Sequence, residues 1–116
     1  MLRRITEHHP ELLRDVYLRP QLDAQALTGL RLPQLSIGRH TNNDVVLTFH
    51  AIEGLLSRQH AVITYDGEQY VVVDQGSTNG TMVNTIRLMR GGRRTLRVGD
   101  IVSFGGPAYV RHHCTH

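Results

Sequence analysis

Hydrophobic residues in this chain recur in short runs rather than at helical spacing. Residues 35–38, 44–47, 61–65, 69–74, 86–88, 94–98, 101–104 and 108–111 each mix β-branched, aliphatic or aromatic residues with polar ones. Gly, Asn and Asp punctuate these runs at intervals of about eight to twelve residues, and weaker runs lie at 16–18, 29–32 and 82–84. The pattern predicts about ten strands and an all-β sandwich or barrel. Asp66-Gly67, between Tyr65 and Gln69, predicts a hairpin over 61–74 because both residues tolerate positive φ. Gly91-Gly92 and Val98-Gly99-Asp100 predict two further turns.

Two segments break this rhythm. Residues 1–15 form an extension in which Ile5, Leu12 and Leu13, followed by Val16, fit either a short amphipathic helix after Pro10 or a disordered lead-in. The connection after Leu47 is too long for a tight turn and carries Phe49, Ile52, Leu55 and Leu56. It reads either as a cover for the end of the sandwich or as a specificity loop.

Composition narrows the class. A chain of 116 residues suits one compact domain. The longest apolar run is Val71-Val72-Val73, far short of the roughly 18 residues a membrane helix needs. The N-terminal residues lack the apolar centre of a signal peptide, and the single cysteine, Cys114, makes no internal disulfide. An intracellular protein, cytoplasmic or nuclear, is expected. All 13 basic residues are arginine, and the formal net charge is +3. Guanidinium forks suit bidentate binding of phosphate or carboxylate.

Chemistry concentrates in three segments, each placed where a strand ends or a loop begins: Ile37-Gly38-Arg39-His40, Leu56-Ser57-Arg58-Gln59-His60, and Asp74-Gln75-Gly76-Ser77-Thr78-Asn79-Gly80-Thr81. Gathered at one end of a sandwich they would offer two guanidiniums, several hydroxyls and a carboxamide, a donor set matched to a phosphate on a peptide. These segments resemble the signature of the forkhead-associated (FHA) domain. Its Gly-Arg, Ser-x-x-His, Ser/Thr-x-Asn-Gly-Thr and Leu-x-x-Gly-Asp elements correspond in order to Gly38-Arg39, Ser57-Arg58-Gln59-His60, Ser77-Thr78-Asn79-Gly80-Thr81 and Leu96-Arg97-Val98-Gly99-Asp100.

The resemblance covers residues 16–111 and implies an eleven-stranded β-sandwich. It also implies a non-catalytic module that binds phosphothreonine peptides and recruits phosphorylated partners in signalling. On that likeness Arg39 grips the phosphate, Ser57 donates its hydroxyl, Arg58 adds a second cation, Thr78 bonds near the phosphate, and Asn79 holds peptide main chain. Gly38, His60 and Gly80 shape the pocket. Asn42, Asn43, Leu55 and Leu56 are specificity candidates, the two leucines implying an apolar preference beyond the phosphothreonine. No cofactor or metal is implied, and the module reads as a monomeric domain, with a longer parent protein left open.

Other readings compete. Ser57, His60 and Asp74 have the residue types of a hydrolase triad, but no Gly-x-Ser-x-Gly elbow surrounds Ser57. The tail over 112–116, with His112, His113, Cys114 and His116, has ligand-type residues too crowded for a closed tetrahedral metal site. Arg87, Arg90, Arg93, Arg94 and Arg97 make residues 87–97 an arginine-rich hairpin that could contact nucleic acid, although no aromatic residue lies there for base stacking. A fold retained for phosphate-independent protein binding is the remaining alternative.

Overall fold

The computed structural model describes residues 21–47 and 56–105, together with the backbone of Leu13 and Arg14. Ten strands are found there: β1 (Leu13–Arg14), β2 (Gln21–Asp23), β3 (Gln34–Gly38), β4 (Val45–Val46), β5 (Ala61–Tyr65), β6 (Tyr70–Asp74), β7 (Thr81–Val83), β8 (Ile86–Arg87), β9 (Arg93–Leu96) and β10 (Ile101–Phe104). One helical turn, α1 (Ala24–Leu27), follows β2. The strands form two five-stranded sheets, ordered β1-β2-β10-β7-β8 and β4-β3-β5-β6-β9.

Alternation decides which side chains lie between the sheets. Along β3, Leu35 and Ile37 are buried while Ser36 is half-exposed, and β5 repeats this with Ala61 and Ile63 against Val62 and Thr64. Opposite them Leu22, Val83, Val102 and Phe104 close the core from the second sheet. This period of two is what a half-buried strand requires, and a slip of one residue would turn the whole set outward.

The strand count corrects one expectation. Ten strands, not eleven, are present among the described residues. The run at 29–32 is a turn: α1 ends at Leu27, Arg31 takes a φ of 50°, and its N–H donates to the Tyr70 hydroxyl (3.0 Å). A backbone held in that left-handed region cannot continue a ladder. The runs at 16–18 and 108–111 lie outside the described residues, as does the His-rich tail. Conversely β1 and β2 form where no clear alternation pointed. Leu13 and Arg14, in the extension, pair antiparallel with Leu22 and Gln21.

The expected hairpin is present from Ala61 to Asp74, with five paired positions from Ala61↔Asp74 to Tyr65↔Tyr70. Asp66 Oδ1 accepts from the N–H groups of Glu68 and Gln69, and Gly67 takes a φ of 103°. The turns at Gly91-Gly92 and Gly99-Asp100 also form, and both carry the chain from one sheet to the other, so residues 87–97 are not the expected hairpin but a crossover: β8 pairs with β7 and β9 with β6.

The β3 to β4 pair is parallel, and the chain loops outward over residues 39–44 before re-entering. A reciprocal clip closes that loop: Ser36 N–H donates to Asp44 Oδ2 (2.9 Å) and Asp44 N–H donates to Ser36 Oγ (3.0 Å). It thereby sets the position of Arg39.

Val72 lies on interior strand β6 and is fully buried between the sheets. Truncation there leaves a cavity that packed strands cannot collapse around. Val72→Ala should therefore cost about 2–3 kcal/mol in urea unfolding, whereas the exposed Val98→Ala should stay within about 0.5 kcal/mol.

Candidate functional site

Three loops meet where β3 and β6 end and β5 begins, and hydrogen bonds tie each to the next. Arg39 N–H donates to Ser57 O (3.0 Å) and His40 N–H to Arg58 O (3.3 Å), which joins the first loop to the second. Thr78 N–H donates to Ser57 Oγ (3.1 Å), which joins the second to the third. Arg39, Ser57 and Thr78 are thus brought together, with Arg58 beside Ser57 and Asn79 beside Thr78.

Arg39 and Ser57 keep donors to spare. Arg39 Nε donates to Leu56 O (3.1 Å), which fixes the guanidinium plane and leaves its terminal nitrogens as the outer edge. Because Ser57 Oγ accepts from Thr78 N–H, its own proton can be donated outward. Arg58 and Thr78 are exposed, while Arg39, Ser57 and Asn79 are half-buried. The result is a mouth of guanidinium, hydroxyl and amide donors.

Beneath this mouth two buried polar residues hold the loops in place. His60 is fully buried and stands edge-on to Phe104, with ring centroids 5.7 Å apart. Its Nδ1 accepts from Ser57 N–H (3.1 Å), so the proton resides on Nε2, which donates to Gly80 O (2.8 Å). Burial pushes its pKa below the ordinary value, although the Gly80 carbonyl and the Asp74 charge oppose this. His60 is therefore a neutral strut between the second and third loops.

Asp74 is the other. One carboxylate oxygen accepts from Ser77 Oγ (2.5 Å) and Thr81 Oγ1 (2.8 Å). The other accepts from the N–H groups of Gly76 (3.0 Å), Ser77 (3.0 Å) and Gly91 (3.3 Å). Burial by itself would raise the carboxyl, but the donors, led by Ser77 and Thr81, hold it below its ordinary value. The chain folds tightly there because Gly76 (φ 75°) and Gly80 (φ 92°) reverse it on either side of Ser77.

These bonds also settle the triad alternative. Ser57 meets His60 through its backbone N–H rather than its hydroxyl, His60 Nε2 is spent on Gly80 O, and the Asp74 oxygens are occupied by loop donors. No nucleophile and base face each other. Among the described residues no group of three or more His, Cys, Asp or Glu could hold a metal, and no helix is long and apolar enough to cross a membrane.

The remaining candidates divide. Asn42 is exposed at the rim, where its Oδ1 accepts from Gln59 Nε2 (3.4 Å). Asn43 points inward instead: it is 1% exposed, and its Nδ2 donates to His40 O (2.9 Å) and Arg58 O (2.8 Å), bracing two loops. Leu56 lies in the core, so its carbonyl rather than its side chain serves the site. Leu55 and most of the long connection lie outside the described residues. Gly38 is required by contact, since a Cβ there would stand 2.1 Å from Arg58 O. Asp74 and Ser77 went unrecognised as organisers, although an Asp followed three residues later by Ser before Asn-Gly is a readable side-chain-to-backbone turn signal.

The FHA domain family model matches residues 35–105, and the chain belongs to that family. It is 40% identical over 62 residues to Protein FraH of Nostoc sp., covering 53% of this chain and 22% of FraH. It is 42% identical over 52 residues to the glycogen accumulation regulator GarA of Mycolicibacterium smegmatis, covering 45% of this chain and 30% of GarA. The chain thus spans less than a third of either relative. In structure it is similar to an FHA domain solved in a study of phosphothreonine-dependent FHA domain interactions, with a TM-score of 0.59 and 29% identity over 81% of this chain and 83% of that one. It is also similar to Mycobacterium tuberculosis EmbR in complex with a low-affinity phosphopeptide, with a TM-score of 0.56 and 32% identity over 79% of this chain and 22% of EmbR.

Two outcomes follow. A group whose folded pKa is depressed contributes stability that is complete above its unfolded pKa and is lost as pH falls to the folded one. Stability should decline first below about pH 6.5, where unfolded His60 takes up a proton that the folded chain refuses, and again below about pH 4 through Asp74. Urea titrations across this range should show the upper decline flattened in His60→Gln and the lower one kept. Separately, Gly38→Ala should force β3 away from Arg58, costing about 2–4 kcal/mol in urea unfolding and displacing the amide resonances of Arg39 and Ser57.

Proposed function

We propose that this domain is a non-catalytic phosphothreonine-peptide receptor that recruits phosphorylated proteins in signalling. The observation that carries this reading is the hydrogen-bonded meeting of Arg39, Ser57 and Thr78 at one end of the sandwich. Arg39 presents a fixed guanidinium edge, Ser57 an outward hydroxyl proton and Thr78 an exposed hydroxyl, which together suit the three oxygens of a phosphate dianion. Arg58 adds a solvent-exposed cation. Asn79, half-buried beside Thr78, has the carboxamide that would hold the main chain of the bound peptide.

Relatives support the same reading. One structural neighbour was solved in a study of phosphothreonine-dependent interactions, and EmbR was solved with a phosphopeptide. Threonine is favoured over serine because its methyl restricts the side-chain rotamer and so aims the phosphate before binding. The reading places the domain inside the cell, in cytoplasm or nucleus, where kinases find ATP. It also makes the surrounding parent protein, if there is one, the effector that phosphorylation brings to its partner.

Arg39→Ala removes one side of a desolvated charge pair and should cost about 2–5 kcal/mol of phosphothreonine-peptide affinity. Calorimetry should find that loss with the thermal midpoint of the free protein little changed. A matched phosphoserine peptide should bind markedly more weakly. Equal affinity for both peptides, or full binding by the Arg39 variant, would sink the reading. Affinity should also fall below about pH 6 as the phosphate dianion gains a proton.

A further inference from the structure

The arginine-rich segment is not a separate feature of the surface. Arg90 Nη2 donates to Gly76 O (3.1 Å), and a Cβ built on Gly80 would stand 2.7 Å from Arg87 Nε. Gly76 and Gly80 bracket Ser77-Thr78-Asn79, so the two guanidiniums are seated on both ends of the loop that carries the proposed peptide contacts. The same segment reaches beneath the loop, where Gly91 N–H donates to Asp74 and Asp74 N–H donates to Gly92 O (2.8 Å).

The charges of this segment are unevenly used. Arg94 and Arg97 interact electrostatically with Asp100, at the far end of β9. Among the described residues no carboxylate pairs with Arg87 or Arg90, and the one carboxylate beneath the loop, Asp74, is buried and filled by loop donors. Between them Met89 is 83% exposed. An open pair of guanidiniums beside an uncovered apolar side chain, fixed to the peptide-binding loop, is a surface for an anionic stretch of extended chain.

We propose that Arg87 and Arg90 form a second, directional subsite that reads anionic residues on one flank of the phosphothreonine. This rests on the phosphothreonine reading and adds the substrate class: phosphopeptides carrying carboxylates, or a second phosphate, to one side. Long-range attraction would favour acidic residues on either side and fade with salt, whereas a subsite favours one flank and persists in close contact.

The test uses the whole chain and phosphothreonine peptides with alanine flanks, three Glu N-terminal, three Glu C-terminal, or a second phosphothreonine on either side. One acidic flank should bind about five-fold more tightly than alanine, a modest gain in keeping with exposed ion pairs, while the other flank gains nothing. In Arg87→Glu that preference should vanish and a lysine flank on the same side should gain. Should that variant fail to fold, Arg87→Gln should bring the same ratio to about one. A doubly phosphorylated peptide bound more tightly than the Glu peptide identifies phosphate as the preferred anion, and the reverse order identifies carboxylate.

Equal binding of all flanks overturns the subsite alone, as does an equal gain on both flanks that disappears at 0.5 M salt. So does an acidic preference that survives in both Arg87 variants. Displacement of the acidic-flank peptide by a single-stranded oligonucleotide, lost in Arg87→Glu, overturns it in favour of nucleic acid. No binding of any phosphopeptide to the unaltered chain overturns the phosphothreonine reading and the subsite with it.

Discussion

The buried carboxylate of Asp74 is the point on which the functional end of this sandwich depends. An ionised group removed from water must recover its lost hydration from the protein, and here two hydroxyls and three backbone N–H groups supply it. Four of those donors lie in residues 76–81 and one at Gly91. Satisfying a single charge therefore folds the β6–β7 loop into a tight arch and draws the β8–β9 turn against it. Donors left unpaired in any other arrangement would each cost about 1–3 kcal/mol, so the arch has few rivals.

Around that anchor the loops hold each other through groups that would otherwise be buried without partners. His60 joins Ser57 N–H to Gly80 O, Asn43 joins His40 O to Arg58 O, and the bare α-carbon of Gly38 allows the Arg58 backbone to approach. None of the three needs to touch a ligand. Their effect is to hold Arg39, Ser57 and Thr78 in one geometry, so that little ordering would remain for the proposed phosphate to impose on binding. Burial keeps His60 neutral, which preserves its acceptor nitrogen for Ser57.

The same economy gives the arginine-rich segment its significance. An exposed run of like charges would ordinarily repel itself and remain solvated. Here Gly91 and Gly92 bond to Asp74, which carries Arg87 and Arg90 onto the loop's two glycines. Cationic surface is thereby continuous in the chain's own bonding with the proposed phosphate-binding end, while Arg94 and Arg97 interact with Asp100.

Much of this was legible in the residues themselves. Alternation located most of the strands, because a strand with one buried face must write its period into its side chains. Asp66-Gly67 marked its hairpin, and the order of Gly38-Arg39, Ser57 to His60 and Ser77 to Thr81 marked the family and its site. Other features depended on which distant segments become neighbours. β1 and β2 are short and owe their state to pairing with each other and with β10, so no local period announced them. The count of ten strands among the described residues, the turn at Arg31, the inward Asn43 and the core position of Leu56 are likewise outcomes of packing. Sequence separates Arg90 from Gly76 by fourteen positions and makes them look independent. Only the folded chain, by bringing the donors around Asp74 from both sides, makes them one surface.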